Sequence, residues 1–149
     1  MEDLQQLDAR LGQLLAAVGD ARRRHLARRI AIALRKSQAE RIAAQQNPDG
    51  SAFEPRKPQP QLRGKRGRIK RMFESIRTRR HLKATSNADG ATIGFSGRAG
   101  RIARVHQEGL IDAVNRRGLK VRYPVRTLLG FSPADLRTIR DTAIDHLGS

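Results

Sequence analysis

Four histidines, His25, His81, His106 and His146, are the side chains best suited to move a proton or bind a metal ion. Their spacing supports neither task. No H-E-x-x-H or other metal-ligand pattern surrounds them, and no cysteine is present to supply a thiol nucleophile, a disulfide or a zinc thiolate. His146, near the chain end, reads as a cation complementing the negative end of a helix, and His25 as a solvated residue on a basic helix face. His106 precedes Gly109 by three residues and reads as a half-buried histidine bonding a backbone group. The glycines at 64–67 and the run Gly97-Arg98-Ala99-Gly100 lack the G-x-x-x-x-G-K-[ST] order of a phosphate-cradling loop. No Ser/His/Asp set has a local signature. The sequence therefore predicts no catalytic residue, no metal, no cofactor and no enzyme.

Charge is the stronger signal. Of 149 residues, 31 are Lys or Arg and 14 are Asp or Glu, a formal net charge of +17. The ends differ from the middle: residues 1–20 sum to −3, residues 132–149 to −1, and residues 21–131 to +21. Most of the bases are arginines, whose planar fork binds carboxylate or phosphate through two bonds at once. Such a middle fits a polyanion, and it fits acidic protein surfaces, including the acidic ends of a neighbouring copy. The stretch 56–83 holds twelve bases against the single acid Glu74. Phe73 is its only aromatic residue, so it lacks the stacking surface of a base reader. A solvated or partner-facing loop is the expected reading, with Arg56, Lys57, Arg63, Lys65, Arg66, Arg68, Lys70 and Arg71 as the partner- or DNA-facing candidates.

Leu, Ile, Val and Phe make up 34 residues, about 23% of the chain, just above the ~20% at which high charge favours disorder. The core is therefore thin, and part of the order is expected to come from a partner. No apolar run approaches the ~20 residues that span a membrane. The acidic opening Met1-Glu2-Asp3 does not resemble a secretory signal, so a soluble protein made in a cytoplasm is expected.

Apolar spacing places the elements. Leu4, Leu7, Leu11, Leu14, Leu15 and Val18 form one helical stripe, ended by Gly19, with Asp20 as N-cap of a long helix over about 20–45. Four prolines and the turn Asn47-Pro48-Asp49-Gly50 exclude helix or central strand over 47–60. Residues 61–71 grade from a mobile loop into a short helix over 68–79. Strands at Leu82 to Ser86 and Ala91 to Ser96 flank the turn Asn87-Ala88-Asp89-Gly90. A helix from Gly97 to Gln107, stopped by Gly109, is followed by a strand from Lys120 to Val125. Ser132-Pro133-Ala134-Asp135 then starts the last helix. The fold class is α+β, a small antiparallel β-sheet formed by the hairpin and the strand near Tyr123. The long N-terminal helix and the C-terminal helix cover it, and the Pro-rich basic segment 47–71 projects as an arm.

Several blocks, in order, carry a family resemblance. Gln45 to Lys57 (Q-Q-N-P-D-G-S-A-F-E-P-R-K) precedes Arg71-Met72-Phe73. Ile93-Gly94-Phe95-Ser96-Gly97 leads to Ile102 to Gly109 (I-A-R-V-H-Q-E-G), and Val121 to Ser132 (V-R-Y-P-V-R-T-L-L-G-F-S) closes the series. Together they resemble the phage virion morphogenesis family, the tail completion proteins of temperate phages with contractile tails, over nearly the whole chain.

The resemblance implies one tail-completion domain over 1–149: helices at 1–45, an extended arm at 46–71 and an α+β core at 72–149. It implies a non-enzymatic structural protein that completes the head-proximal end of the tail for head–tail joining, as a ring, most simply a hexamer. His106, Gly109, Pro124, Arg126, Leu128, Leu129, Gly130 and Phe131 would define the fold, the last residues inserting apolar mass before the final helix. The implied partners are other copies of the chain and tail terminator, tube or neck proteins, with non-specific DNA contact in the ring lumen and no membrane. The implied location is the virion, reached from the host cytoplasm. A small basic DNA-binding protein, with affinity falling steeply in salt, is the alternative.

Overall fold

The computed structural model describes residues 2–16, 18–56, 71–113 and 117–148. Their order is α1 (Glu2–Ala16), α2 (Asp20–Ala43), β1 (Leu82–Asn87), β2 (Gly90–Phe95), α3 (Gly97–Glu108), β3 (Ile111–Ala113), β4 (Lys120–Arg122) and α4 (Pro133–Leu147). The fold is α+β, with two separate two-stranded antiparallel sheets.

α2 is the spine. Leu26, Ala27, Ala31, Leu34, Gln38 and Ile42 are buried, at the three- and four-residue steps of one helical face. The helix packs against the β1–β2 hairpin and against α4, while α1 packs against α4. Gly19, not Asp20, is the N-cap; its backbone is extended and Asp20 sits in the first turn, where its charge meets the positive end of the helix. The C-terminus closes as a Schellman turn: Gln45 N–H donates to Ile42 O at 2.9 Å and Gln46 N–H to Arg41 O at 3.2 Å. Gln45 there takes the left-handed conformation, φ 58°, usually left to glycine. Its side-chain amide offsets the strain by pairing with Met72, donating to Met72 O at 2.9 Å and accepting from Met72 N at 2.9 Å.

The hairpin register sets Leu82 against Phe95 and Asn87 against Gly90. Asn87 Oδ1 accepts from Asp89 N at 2.8 Å and Gly90 N at 3.1 Å, the local bonding that makes Asn a turn former. β4 pairs with β3, not with the hairpin, Asp112 opposite Val121, so the single sheet expected from sequence is two. β4 ends at Arg122 because Pro124 has no N–H to continue a ladder.

The expected helix over 68–79 does not form among its described residues: 71–80 run as turns, with Phe73 at φ 66°, which breaks helical continuation. The first part of the expected arm is also packed rather than projecting. Phe53 is buried in the main core with Ile42, Met72, Ile76, Ala99, Ala103 and Leu128, and the expulsion of water from Phe53 holds residues 46–56 down at ~2 kcal/mol. The remainder of the arm, 57–70, lies outside the described residues.

α4 begins as the sequence predicts. Ser132 accepts from Asp135 N through its side chain at 3.0 Å, Asp135 accepts in return from Ser132 N at 3.0 Å, and Pro133 opens the helix.

Candidate functional site

Between β4 and α4 the chain crosses the molecule as a strap, residues 123–131, with no regular secondary structure. A buried strap needs partners for its main-chain groups, and here long side chains supply them. Arg126 N donates to His106 O at 2.9 Å. Thr127 N donates to Asn47 Oδ1 at 2.8 Å. Gln107 Oε1 accepts from Leu128 N at 2.8 Å and Leu129 N at 3.0 Å, and its amide donates to Leu129 O at 2.9 Å. Gln38 Oε1 accepts from Gly130 N at 3.2 Å. Arg41 donates to Thr127 O at 3.0 Å and Leu128 O at 2.8 Å. Every N–H from Arg126 to Gly130 thus has a partner.

The same side chains continue into a buried network. Arg41 also bonds Gln38, and the Gln38 amide donates to Asp135 Oδ2 at 3.1 Å. Ser37 donates its hydroxyl to Asp135 Oδ1. Asp135, 1% exposed, therefore balances three donors with its charge. The capping acid of α4 is at once the anchor of α2.

Arg126 is the second buried ion, 4% exposed, and it forms no ion pair among the described residues. Nε donates to Glu54 O at 2.7 Å and Nη2 to Pro55 O at 3.3 Å. Nη1 lies 3.0 Å from His106 Nδ1; a guanidinium only donates, so Nδ1 accepts and the neutral ring carries its proton on Nε2. Burial, then Arg56, push the Arg126 pKa down, opposed by Glu54 and Tyr123. His106 falls to about 4, through burial first and then the charges of Arg126 and Arg56. Its ring lies edge-to-face with Phe73 at 4.7 Å and Tyr123 at 4.9 Å. A base so weak, with its lone pair held by Arg126, is a poor proton acceptor, and its work is to hold the strap. The backbone partner expected for His106 is replaced at the ring by this guanidinium.

Two glycines are required by close approach. Gly109 ends α3 at φ 64°, and a Cβ there would meet Val125 Cγ2 at 2.8 Å. A Cβ on Gly130 would meet Pro48 Cγ at 2.6 Å, so the strap lies against the proline turn. Leu128 is fully buried and Leu129 and Pro124 are half-buried. Phe131 differs from expectation: it is 49% exposed, because the sharp turn into the capped helix directs it away from the core.

Of the eight basic candidates, Arg56 and Arg71 are described. Arg71 donates to Ala43 O at 3.3 Å and faces Glu74 at 3.4 Å, so it serves the chain's own fold. Lys57, Arg63, Lys65, Arg66, Arg68 and Lys70 lie outside the described residues. His25 stacks on His146, ring centroids 5.1 Å apart, across the α2–α4 seam. The sequence places Asn47 in a turn and Gln107 in a family block, but gives neither of them, nor Gln38, a clamping role, since such roles have no periodic signature.

Among the described residues no three His, Asp or Glu side chains gather to hold a metal ion, and no helix is long and apolar enough to cross a membrane. The buried polar groups of the site bind the chain's own backbone and one another. The chain belongs to the phage virion morphogenesis family, whose sequence profile matches residues 2–148. It is 37% identical over 149 residues, 99% of each chain, to tail completion protein S of Escherichia phage P2. No solved structure matches it.

Proposed function

We propose that this protein is a non-enzymatic tail completion protein that finishes the head-proximal end of a phage tail for joining to the head. It acts in the neck region of the virion after assembly in the host cytoplasm, as a hexameric ring. The observation that carries the reading is the 37% identity to tail completion protein S across 99% of both chains.

The physics of the surface supports self-assembly. Ile32, Ile102, Ile111, Leu119, Val125, Phe131 and Ile144 are exposed, a large apolar share for so small a core, and contact with other copies or with tube, terminator or neck proteins would cover them. His106, Gly109, Pro124, Arg126, Leu128, Leu129 and Gly130 act as fold-defining residues of the strap, since each clamps it, fills beneath it or permits its close approach.

The test is genetic and physical. A phage with a nonsense mutation in this chain should accumulate unjoined heads and tails, and protein supplied in trans should restore joining. The purified protein should sediment as a ring, and labelled copies should locate to the neck. A strict monomer at all concentrations, with no copies at the neck, overturns the reading. Deleting residues 61–70 asks whether the basic segment takes part; unchanged completion shows it dispensable.

A second reading, DNA contact, draws on the twelve bases of 56–83. Submicromolar duplex binding at physiological salt, with a steep salt dependence and no association with tail proteins, would favour it.

A further inference from the structure

The acidic ends of the sequence meet in the fold. α1 packs against α4, and the two helices hold six acids (Glu2, Asp3, Asp8, Asp135, Asp141 and Asp145) and three arginines (Arg10, Arg137 and Arg140). α2, with eight bases and two acids, lies beneath. Arg22 donates to His146 O at 3.0 Å and Arg29 to Asp145 at 3.0 Å, so both point to α4. Arg35 donates to Leu82 O at 2.8 Å and points to the hairpin. At ~100° per residue these directions differ by about 120–140°.

On the hairpin side, α2 and β1 enclose an open groove of about 680 Å³, lined by Arg24, Arg28, Ala31, Ile32, Ala84 and Asn87 among others. Arg24 and Arg28 are exposed and form no ion pair with the described residues; the nearby Asp20 and Asp89 face Arg23 at 3.9 and 3.8 Å. Ile32 stands at the lip, 58% exposed. The α4 surface offers the complement: Ile144 is 59% exposed, between Asp141 and Asp145, whose side chains are 70% and 75% exposed. Arg137 and Arg140 stand one turn nearer the helix start, Arg140 facing Asp141 at 3.4 Å. The exposed face of α4 is therefore basic first and acidic last, which gives a docking partner a direction.

We propose that the groove between α2 and β1 receives the last turns of α4 from a second copy, with Asp141 paired to Arg24 and Arg28 and Ile144 set on Ile32. This rests on the self-assembly reading above and names its surfaces. The two surfaces differ and do not overlap, so the contact is head-to-tail, the kind that closes into a ring when its rotation permits. Burial of two exposed isoleucines supplies the attraction, and charge complementarity sets the register.

Sedimentation velocity on the full chain tests this with two variants. One is Arg24→Glu with Arg28→Glu; the other is Asp141→Arg with Ile144→Arg, leaving Asp145 to its bond with Arg29. Each alone should weaken association by about tenfold or more, with helix content by circular dichroism unchanged. An equimolar mixture should assemble more strongly than either variant alone, because the acidic groove then meets the basic α4 face, while the loss of Ile144 keeps it short of wild type. If the wild type assembles and both variants assemble equally well, the groove is not the interface and the proposal falls while the ring reading stands. If the wild type is a monomer throughout, both fall. Variants that assemble normally but lose duplex DNA binding assign the groove to a polyanion and overturn the proposal.

Disulfide trapping gives a test independent of charge. The chain has no cysteine, so Ile32→Cys with Ile144→Cys under a mild oxidant should give a ladder of covalent oligomers. Monomer alone, from a variant of wild-type melting temperature that assembles normally, refutes the contact.

Discussion

Arginine performs two opposite tasks on the two flanks of this molecule. At the strap, Arg41 and Arg126 give their donors to main-chain carbonyls and to an imidazole, and their charge is a cost the fold tolerates to secure the bonds. At the hairpin groove, Arg24 and Arg28 are exposed, and their charge stays at the surface. A desolvated guanidinium is valuable for its geometry, an exposed one for its field. The same residue type, abundant throughout, therefore yields no single functional reading from composition.

The sharpest way to break this contrast is at Arg126. Arg126→Ala should cost about 3 kcal/mol in urea denaturation, since the buried carbonyls of Glu54 and Pro55 lose their donor. Arg126→Lys should recover only part of it, because an ammonium cannot span the fork. A loss below about 0.5 kcal/mol would refute the strap's dependence on buried arginine. Next, Gln107→Ala strips partners from Leu128 N, Leu129 N and Leu129 O, with an expected loss of about 2–3 kcal/mol by the same assay.

A smaller effect tracks pH. His106 has a folded pKa of about 4, below its ordinary 6.5, so between these values the unfolded chain takes up a proton that the native protein refuses. Stability from this residue is complete above about pH 6.5 and declines as pH falls toward 4; the full gap corresponds to about 3 kcal/mol, which solvent screening of the half-buried ring reduces to about 2 kcal/mol. Melting curves across that window should show the slope, and His106→Phe should flatten it. At the groove, Arg24→Ser with Arg28→Ser should change monomer stability by no more than about 0.5 kcal/mol while weakening self-association. A large stability loss there would show that the two flanks are built alike.

Legibility in the sequence followed the range of the interactions. The α4 cap, written in Ser132, Pro133 and Asp135, and the hairpin turn, written in Asn87 and Gly90, are local, and the structure forms both as the sequence predicts. In α2, the apolar residues Leu26, Leu34 and Ile42 fall at helical spacing on the buried face, where the polar Gln38 also lies. β3 is three residues long, too short for an alternating pattern to declare it. The turns of 71–80 carry helix-like apolar spacing that the positive φ of Phe73 overrides. Of the candidate site, Gly109 could be marked from the I-A-R-V-H-Q-E-G block, and Leu128 and Gly130 from the block that runs from Val121 to Ser132. The clamps could not, since Gln38, Asn47 and Gln107 reach residues 80 to 92 or about 20 positions away. Phe131 misled because an apolar residue beside a core segment need not enter it.

The bonds between Ser37 or Gln38 and Asp135 join positions 98 and 97 apart, and this separation bears on how the protein is made. On the ribosome, α2 can meet the hairpin once β2 has been made, but its α4 side cannot be sealed until almost the entire chain has been translated. Closure over such distances is slow. A product truncated anywhere before residue 135 would lack the acid that ties the spine to its cover. Such fragments should be open to proteases, so that the folded population consists of fully translated copies.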